Sequence, residues 1–263
     1  MRGVPISPLT WRDLKTFRKK ILGLVGLQEN IVHLSKKQIA FLKDEATLQE
    51  IDLKLPVLFD GVKVFHGCRP DSVESYYSHG LLPLDAEMGK RIAMSIFLSA
   101  RFPELSEQDI ENAADRANGN WRHGHLYVCL DDRFLIKSCG HYLIYGSEYI
   151  YAIAAGLQCI KRNAYDYQQH LRQNGRPTIF VCQLSIDRIT LSDRKALVAA
   201  LVDEIASDPS LKRCRTSHCD FSFFLKSKLE PTCILEHRHP RTIPDPLRNM
   251  TPYRWAQEKS NTA

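Results

Sequence analysis

Val64-Phe65-His66-Gly67-Cys68-Arg69 reads as an apolar β-type run that ends in an imidazole, a glycine and a guanidinium. A strand ending this way carries its polar side chains where the apolar run gives out and solvent is near. Working outward, Val62 to Phe65 is the strand itself. Asp71 to His79 reads as a helix, with Asp71 or Ser72 as its cap and Gly80, before Leu81-Leu82, as its stop. Ser95 to Ser99 follows as a second strand, Ile96 and Leu98 alternating against Phe97. About 80 residues after the first polar segment comes another, Tyr145-Gly146-Ser147-Glu148-Tyr149-Ile150, a carboxylate flanked by a small hydroxyl and two aromatics.

The flanks have a different texture. Residues 8 to 26 carry Trp11, Leu14, Phe17, Ile21 and Leu24 at three- and four-residue steps, the pattern of an amphipathic helix. A second helix is expected from Ser35 to about Glu50, before Pro56 and Asp60-Gly61 break the pattern. Past the central strands, Ser106 to Ala117 reads as a helix with a capping-box variant at Ser106 and Asp109. His125 to Leu130 reads as strand, and Leu135-Ile136 as a short strand. Tyr149 to Leu157 fits either strand or helix. Thr178 to Ile186 is the most strand-like run, Ser192 to Ser207 is a helix, and Thr232 to Leu235 is a last strand. The expected organisation is a helical N-terminal extension over 1–60, a main domain over 61–250 and a polar tail over 251–263. Short strands between helices make the class α+β.

At 263 residues, 44% hydrophobic and 25% charged, the chain has material for a large core. No apolar run approaches the roughly 20 residues a membrane helix needs, and Met1-Arg2-Gly3-Val4-Pro5 lacks the pattern of a secretory signal, so a cytoplasmic setting is expected. Eight cysteines without a CxxC read as reduced thiols. Cys214, His218, Cys219, Cys233, His237 and His239 match no common zinc spacing, so no metal is expected. Net charge is +6, and it is uneven: 11 basic and 7 acidic residues over 1–63, 10 and 5 over 211–263, and 15 and 18 between. Basic ends suit either polyanion contact or a solvated surface. There is no GxGxxG after a strand and no GxxxxGK[ST], which leaves conventional Rossmann and P-loop readings unsupported.

Taken singly, His66 reads as a strand-end histidine satisfied by a carbonyl, and Glu148 as an acid suited to a helix N-terminus. In combination and order, Phe65-His66-Gly67-Cys68-Arg69, the segment Ser72 to Leu82, Ile96-Phe97-Leu98-Ser99 and Ser147-Glu148-Tyr149-Ile150 resemble the mono-ADP-ribosyltransferase superfamily. The likeness is to the branch that includes diphtheria toxin and the poly(ADP-ribose) polymerases, and it covers roughly residues 62 to 190. It implies an ADP-ribosyltransferase-like split β-sheet core with flanking helices and an N-terminal helical extension. The implied activity is cleavage of the nicotinamide-ribose bond of NAD and transfer of ADP-ribose to a macromolecular acceptor, protein or nucleic acid. A toxin or defence effector, with a cognate inhibitor or regulator and no membrane partner, is the implied setting.

The resemblance also distributes roles. Glu148 would stabilise the oxocarbenium-like transition state, since bond cleavage builds positive charge on the sugar. His66 would hold the adenosine-side ribose, and the Gly67 backbone would pair with the nicotinamide amide. Arg69 would meet a phosphate, and Ser99 would support Glu148. Phe97 stands where relatives carry a tyrosine, keeping the ring face without the hydroxyl, and Tyr76, Tyr77, Tyr142 or Tyr145 are spatial substitutes. Lys90 and Arg91 suit either a loop over the site or a solvated surface. Glu230 and Glu236, flanking Thr232 to Leu235, compete with Glu148 for the catalytic role. The signature for arginine modification is absent, because position 146 is Gly. Two other readings remain: an RNA 2′-phosphotransferase-like enzyme, whose additional His and paired arginines have no convincing match, and a catalytically silent module that binds a nucleotide or RNA.

Overall fold

The computed structural model describes residues 7–31, 33–83, 85–99, 101–117, 124–162, 165–208 and 210–255. The start of the chain, read above for a leader, and most of the expected tail lie outside them. Among the described residues helix takes 51% and strand 15%, so helices dominate a mixed α/β structure around an antiparallel sheet. The strands are β1 (Val62–Cys68), β2 (Leu126–Cys129), β3 (Thr178–Leu184), β4 (Ser222–Leu225), β5 (Ile234–Arg238), β6 (Ile243–Asp245) and β7 (Thr251–Tyr253). Five form one sheet in the order β4-β2-β1-β3-β5, with β6 and β7 a separate antiparallel pair. β1 is central and antiparallel to β2, Phe65 standing opposite Cys129.

The helices are α1 (Leu14–Leu24), α2 (Lys36–Leu42), α3 (Glu45–Leu58), α4 (Glu74–His79), α5 (Ala86–Phe97), α6 (Glu107–Arg116), α7 (Asp132–Lys137), α8 (His141–Ile144), α9 (Glu148–Lys161), α10 (Tyr167–Leu171), α11 (Leu191–Ser207) and α12 (Arg213–Thr216). Two compact units divide the chain. The first takes residues 1–65, 129–132 and 182–223, the second residues 66–128, 133–181 and 224–263.

In the first unit, α1 starts later than its periodicity suggests. Leu9 is held in a bridge with Val62 by Leu9 N–H to the Gly61 carbonyl (2.8 Å) and Lys63 N–H to the Leu9 carbonyl (2.8 Å), so the chain is extended there. From Leu14 the apolar stripe closes, and Leu14, Phe17, Ile21 and Leu22 are fully buried. The single helix expected over Ser35 to Glu50 is two. Asp44 ends the first and caps the second, its carboxylate accepting from the Ala46 and Thr47 amides. Pro56 does not stop α3, because it falls in the last turn, where a missing N–H removes only one of the final bonds. α11 buries Leu197, Leu201 and Ile205, as its pattern predicts. The Arg194 guanidinium donates to buried Asp52 of α3 through Nε (2.5 Å) and Nη2 (3.1 Å).

In the second unit, Ser95 to Phe97 is helical. Asp85 caps α5 through the Glu87 amide, and Gly89, Ala93 and Phe97 are buried at four-residue steps, so the helical period overrides the short alternation around Phe97. Leu135-Ile136 likewise falls in α7, and Tyr149 to Leu157 in α9, which Ser147 caps by accepting from the Ile150 amide. The Ser106/Asp109 capping box forms as read. Close helix packing uses two glycines: a Cβ at Gly156 would stand 3.1 Å from the Ala113 Cβ, and one at Gly89 would stand 2.6 Å from the Tyr149 ring. β5 begins after the 3₁₀ turn Pro231–Cys233, and Thr251–Tyr253, in the stretch read as tail, pairs with β6.

Candidate functional site

β1 alternates cleanly until Phe65, then presents His66, Gly67 and Cys68 half-buried. His66 Nδ1 lies 2.8 Å from the Tyr127 carbonyl of β2. A carbonyl only accepts, so Nδ1 carries the proton and Nε2 is left as the acceptor of the neutral ring. Burial lowers the His66 pKa below its ordinary value, against the upward pull of that same hydrogen bond, which keeps the ring neutral at pH 7.

Cys68 and Tyr76 are hydrogen-bonded to each other, and burial pushes the thiol up to about 12 and the phenol upward as well. Neither is a nucleophile at neutral pH. Tyr76 packs its ring 4.7 Å from Phe180, and Tyr77 bonds the His237 Nδ1 at 2.9 Å.

Glu148 is the first residue of α9. Its Oε1 accepts from the Tyr142 hydroxyl (2.9 Å) and from His141 Nε2 (3.2 Å), both on α8. α8 is one turn long, and Gly146 at φ +84° makes the left-handed step from it into the Ser147 cap. The carboxylate is therefore positioned by two side-chain donors and by the helix N-terminus, while its side chain keeps 35% exposure to solvent.

The first polar segment packs on the helix that leads into the second. A Cβ at Gly67 would stand 3.2 Å from Leu143 and 3.4 Å from Leu135, so β1 packs directly on α8 and α7 at that point. Arg69 then fastens the contact: Nη1 donates to the Leu143 carbonyl (3.0 Å), Nη2 to the Tyr253 hydroxyl (2.9 Å) and to the Arg172 carbonyl, and Nε to the Asn174 carbonyl. These donors hold loops, and a phosphate would have to displace them.

Tyr145, at the start of the second polar segment, belongs to a buried brace. Arg172 Nη1 pairs with Asp245 at 2.7 Å, Tyr145 donates to the same carboxylate oxygen at 2.6 Å, and Tyr253 donates to the Arg172 carbonyl at 2.8 Å. Burial raises the Tyr145 phenol to about 12, so it stays a donor.

Phe97 and Ser99 do not join this assembly through any strand. Phe97 ends α5 with no exposure, among Phe102, Tyr167 and His170 at 6.0 to 6.2 Å, which is a core position rather than a ring open to a ligand. Ser99 is exposed just past that helix, its carbonyl accepting from Phe102 N–H. Glu236 is exposed on edge strand β5, and Glu230, also exposed, pairs with Lys228 at 3.0 Å. His141 was not singled out from the sequence, although its place one turn before the Gly146-Ser147 cap is a usable signal. Arg172 and Asp245, 73 residues apart, give none.

All eight cysteines are free, and among the described residues no group of three or more His, Cys, Asp or Glu side chains is arranged to hold a metal ion. No described helix is long and apolar enough to cross a membrane. No family model, curated protein or solved structure matches the chain.

Proposed function

We propose that the chain is an NAD-dependent mono-ADP-ribosyltransferase with an ADP-ribosyltransferase-like split sheet, acting on a macromolecular acceptor, protein or nucleic acid, in a toxin or defence setting. The observation that carries the reading is the junction of the His66-Gly67 strand end with the Tyr142 to Glu148 segment, made through Gly67, Leu143 and Arg69. His66 offers a neutral ring whose free Nε2 accepts a ribose hydroxyl, and its role is positioning. Glu148 is the carboxylate beside the developing sugar cation. The glycosidic bond breaks with its electron pair leaving on nicotinamide, the acceptor's nucleophile bonds the anomeric carbon, and the acceptor's proton is released. Tyr142, already bonded to Glu148, replaces Phe97 as the aromatic nearest the carboxylate.

The test is nicotinamide release and transfer of labelled ADP-ribose to protein, DNA and RNA acceptors. Glu148→Gln should lower turnover by about 10²- to 10³-fold, the scale of losing one preorganised electrostatic group. Turnover that survives Glu148→Gln and is lost in Glu236→Gln would overturn the assignment. A second reading, a silent module binding a nucleotide or RNA, is favoured by the core position of Phe97 and by the occupied donors of Arg69. It predicts binding without any nicotinamide release.

A further inference from the structure

A second concave site stands in the C-terminal part of the second unit. A cavity of about 320 Å³ is lined by Arg176, His239, Arg241, Arg254 and Trp255, together with Pro177, Pro240 and Thr242. That volume is at the small end of the range for ligand sites. Three arginines line it, and none of its lining residues is acidic.

Among the described residues Arg176, Arg241 and Arg254 have no carboxylate partner, whereas the neighbouring Arg172 and Arg248 pair with Asp245 and Asp166. From His237 to Trp255 the only acid is Asp245, which is buried and bonded to Arg172. The charges of Arg176, Arg241 and Arg254 are thus without a carboxylate counter-ion among the described residues. Three like charges around one hollow repel one another, so the arrangement is relieved by an anion.

The lining is also built. Trp255 donates its indole N–H to the Gly175 carbonyl at 3.1 Å, and the Arg176 guanidinium lies 4.9 Å over the indole ring. Stacking uses the face of the guanidinium and leaves its in-plane N–H donors for oxyanions. Arg176 N–H is itself held by the Pro70 carbonyl at 2.8 Å, and Gly175, at φ +65°, packs so tightly on Arg69 and Pro70 that a Cβ there would stand 2.6 Å from the Arg69 carbonyl. His239 Nδ1 is fixed on the Pro177 carbonyl at 2.9 Å.

We infer that this cavity binds phosphate groups, those of a free nucleotide or of a single nucleic-acid strand, with Arg176, Arg241 and Arg254 as the anion ligands and Trp255 as the rigid wall. The inference does not depend on the transferase reading. The full chain would be titrated with pyrophosphate, ADP and a fluorescent 12-nucleotide single strand at 50 and 200 mM salt, beside Arg241→Ala/Arg254→Ala and the charge control Lys54→Ala. With three phosphate contacts, strand affinity should fall about 18-fold between the two salt concentrations, and only about 3-fold in the double variant. Lys54→Ala should bind as the parent does. A strand that binds more tightly than ADP identifies nucleic acid as the source of the phosphate, and equal affinities identify a nucleotide. Failure of all three probes to bind, or binding indifferent to Arg241→Ala/Arg254→Ala, would overturn the inference.

Discussion

Asp245→Ala removes one half of a buried ion pair and leaves the other half in place. Arg172 keeps only 8% of its side-chain surface exposed and Asp245 1%, so the guanidinium left without its carboxylate has little access to water. Breaking such a pair from one side costs about 3–5 kcal/mol. The lower end applies here, because Arg172 retains its ring contacts with Tyr253 (4.8 Å) and Tyr145 (5.8 Å) after the carboxylate is gone. With a urea dependence of about 3 kcal/mol per molar for a chain of this size, a loss of about 3 kcal/mol moves the unfolding midpoint down by about 1 M. Urea titration followed by far-ultraviolet circular dichroism reads this directly. Asp245→Asn, which still accepts from Tyr145, should lose less. Replacing both partners, Arg172→Met with Asp245→Leu, should come within about 1–2 kcal/mol of the parent, because no charge is then left buried. A midpoint for Asp245→Ala within 0.2 M of the parent at unchanged slope, about 0.6 kcal/mol, would show that the Arg172–Asp245 brace carries no stability.

Gly89→Ala should destabilise by about 1–3 kcal/mol, since its Cβ would stand 2.6 Å from the Tyr149 ring; an unchanged melting temperature refutes the close α5/α9 packing. His66, His170 and His239 all have pKa values lowered chiefly by burial, so the unfolded chain takes up protons first as the medium acidifies. Stability is then complete above about pH 6.5 and falls as pH drops through the depressed values. Urea midpoints at pH 7.5, 6.5 and 5.5 should decline in that order, and a flat profile counts against neutral buried rings. Cys68, its thiol raised to about 12, should resist a thiolate-selective disulfide reagent at pH 8 while exposed Cys159 reacts at once; mass mapping that finds Cys68 modified first contradicts its burial.

Much of this architecture is legible in short-range pattern. Thr178–Leu184, α11 and the Ser106 box follow from run length, four-residue spacing and cap chemistry, all of which act within a few residues. The misreadings occur where two periods coincide. Ile96-Phe97-Leu98 alternates like a strand, yet Gly89, Ala93 and Phe97 repeat like a helix, and burial of the longer stripe decides. With Phe97 in the core, the aromatic that the resemblance placed on a strand has no counterpart there. His66 and Glu148 stand out as polar exceptions in their local settings, and the strand end after His66 packs on Leu143 of α8, the helix whose His141 and Tyr142 bond Glu148. Their tertiary supports were not recognisable. Arg69 reaches carbonyls more than 70 residues away, and nothing in the order of residues reports a carbonyl's direction.

The close seating of Gly175 on Arg69 and Pro70 gives two chemically different regions a common wall. On one side is the end of the strand that carries the imidazole, and on the other the start of the arginine-lined hollow. Any residue larger than glycine at 175 would have to spread both together, so a change made to tune one would be felt by the other. The strand end and the arginine-lined hollow are therefore mechanically joined through one glycine.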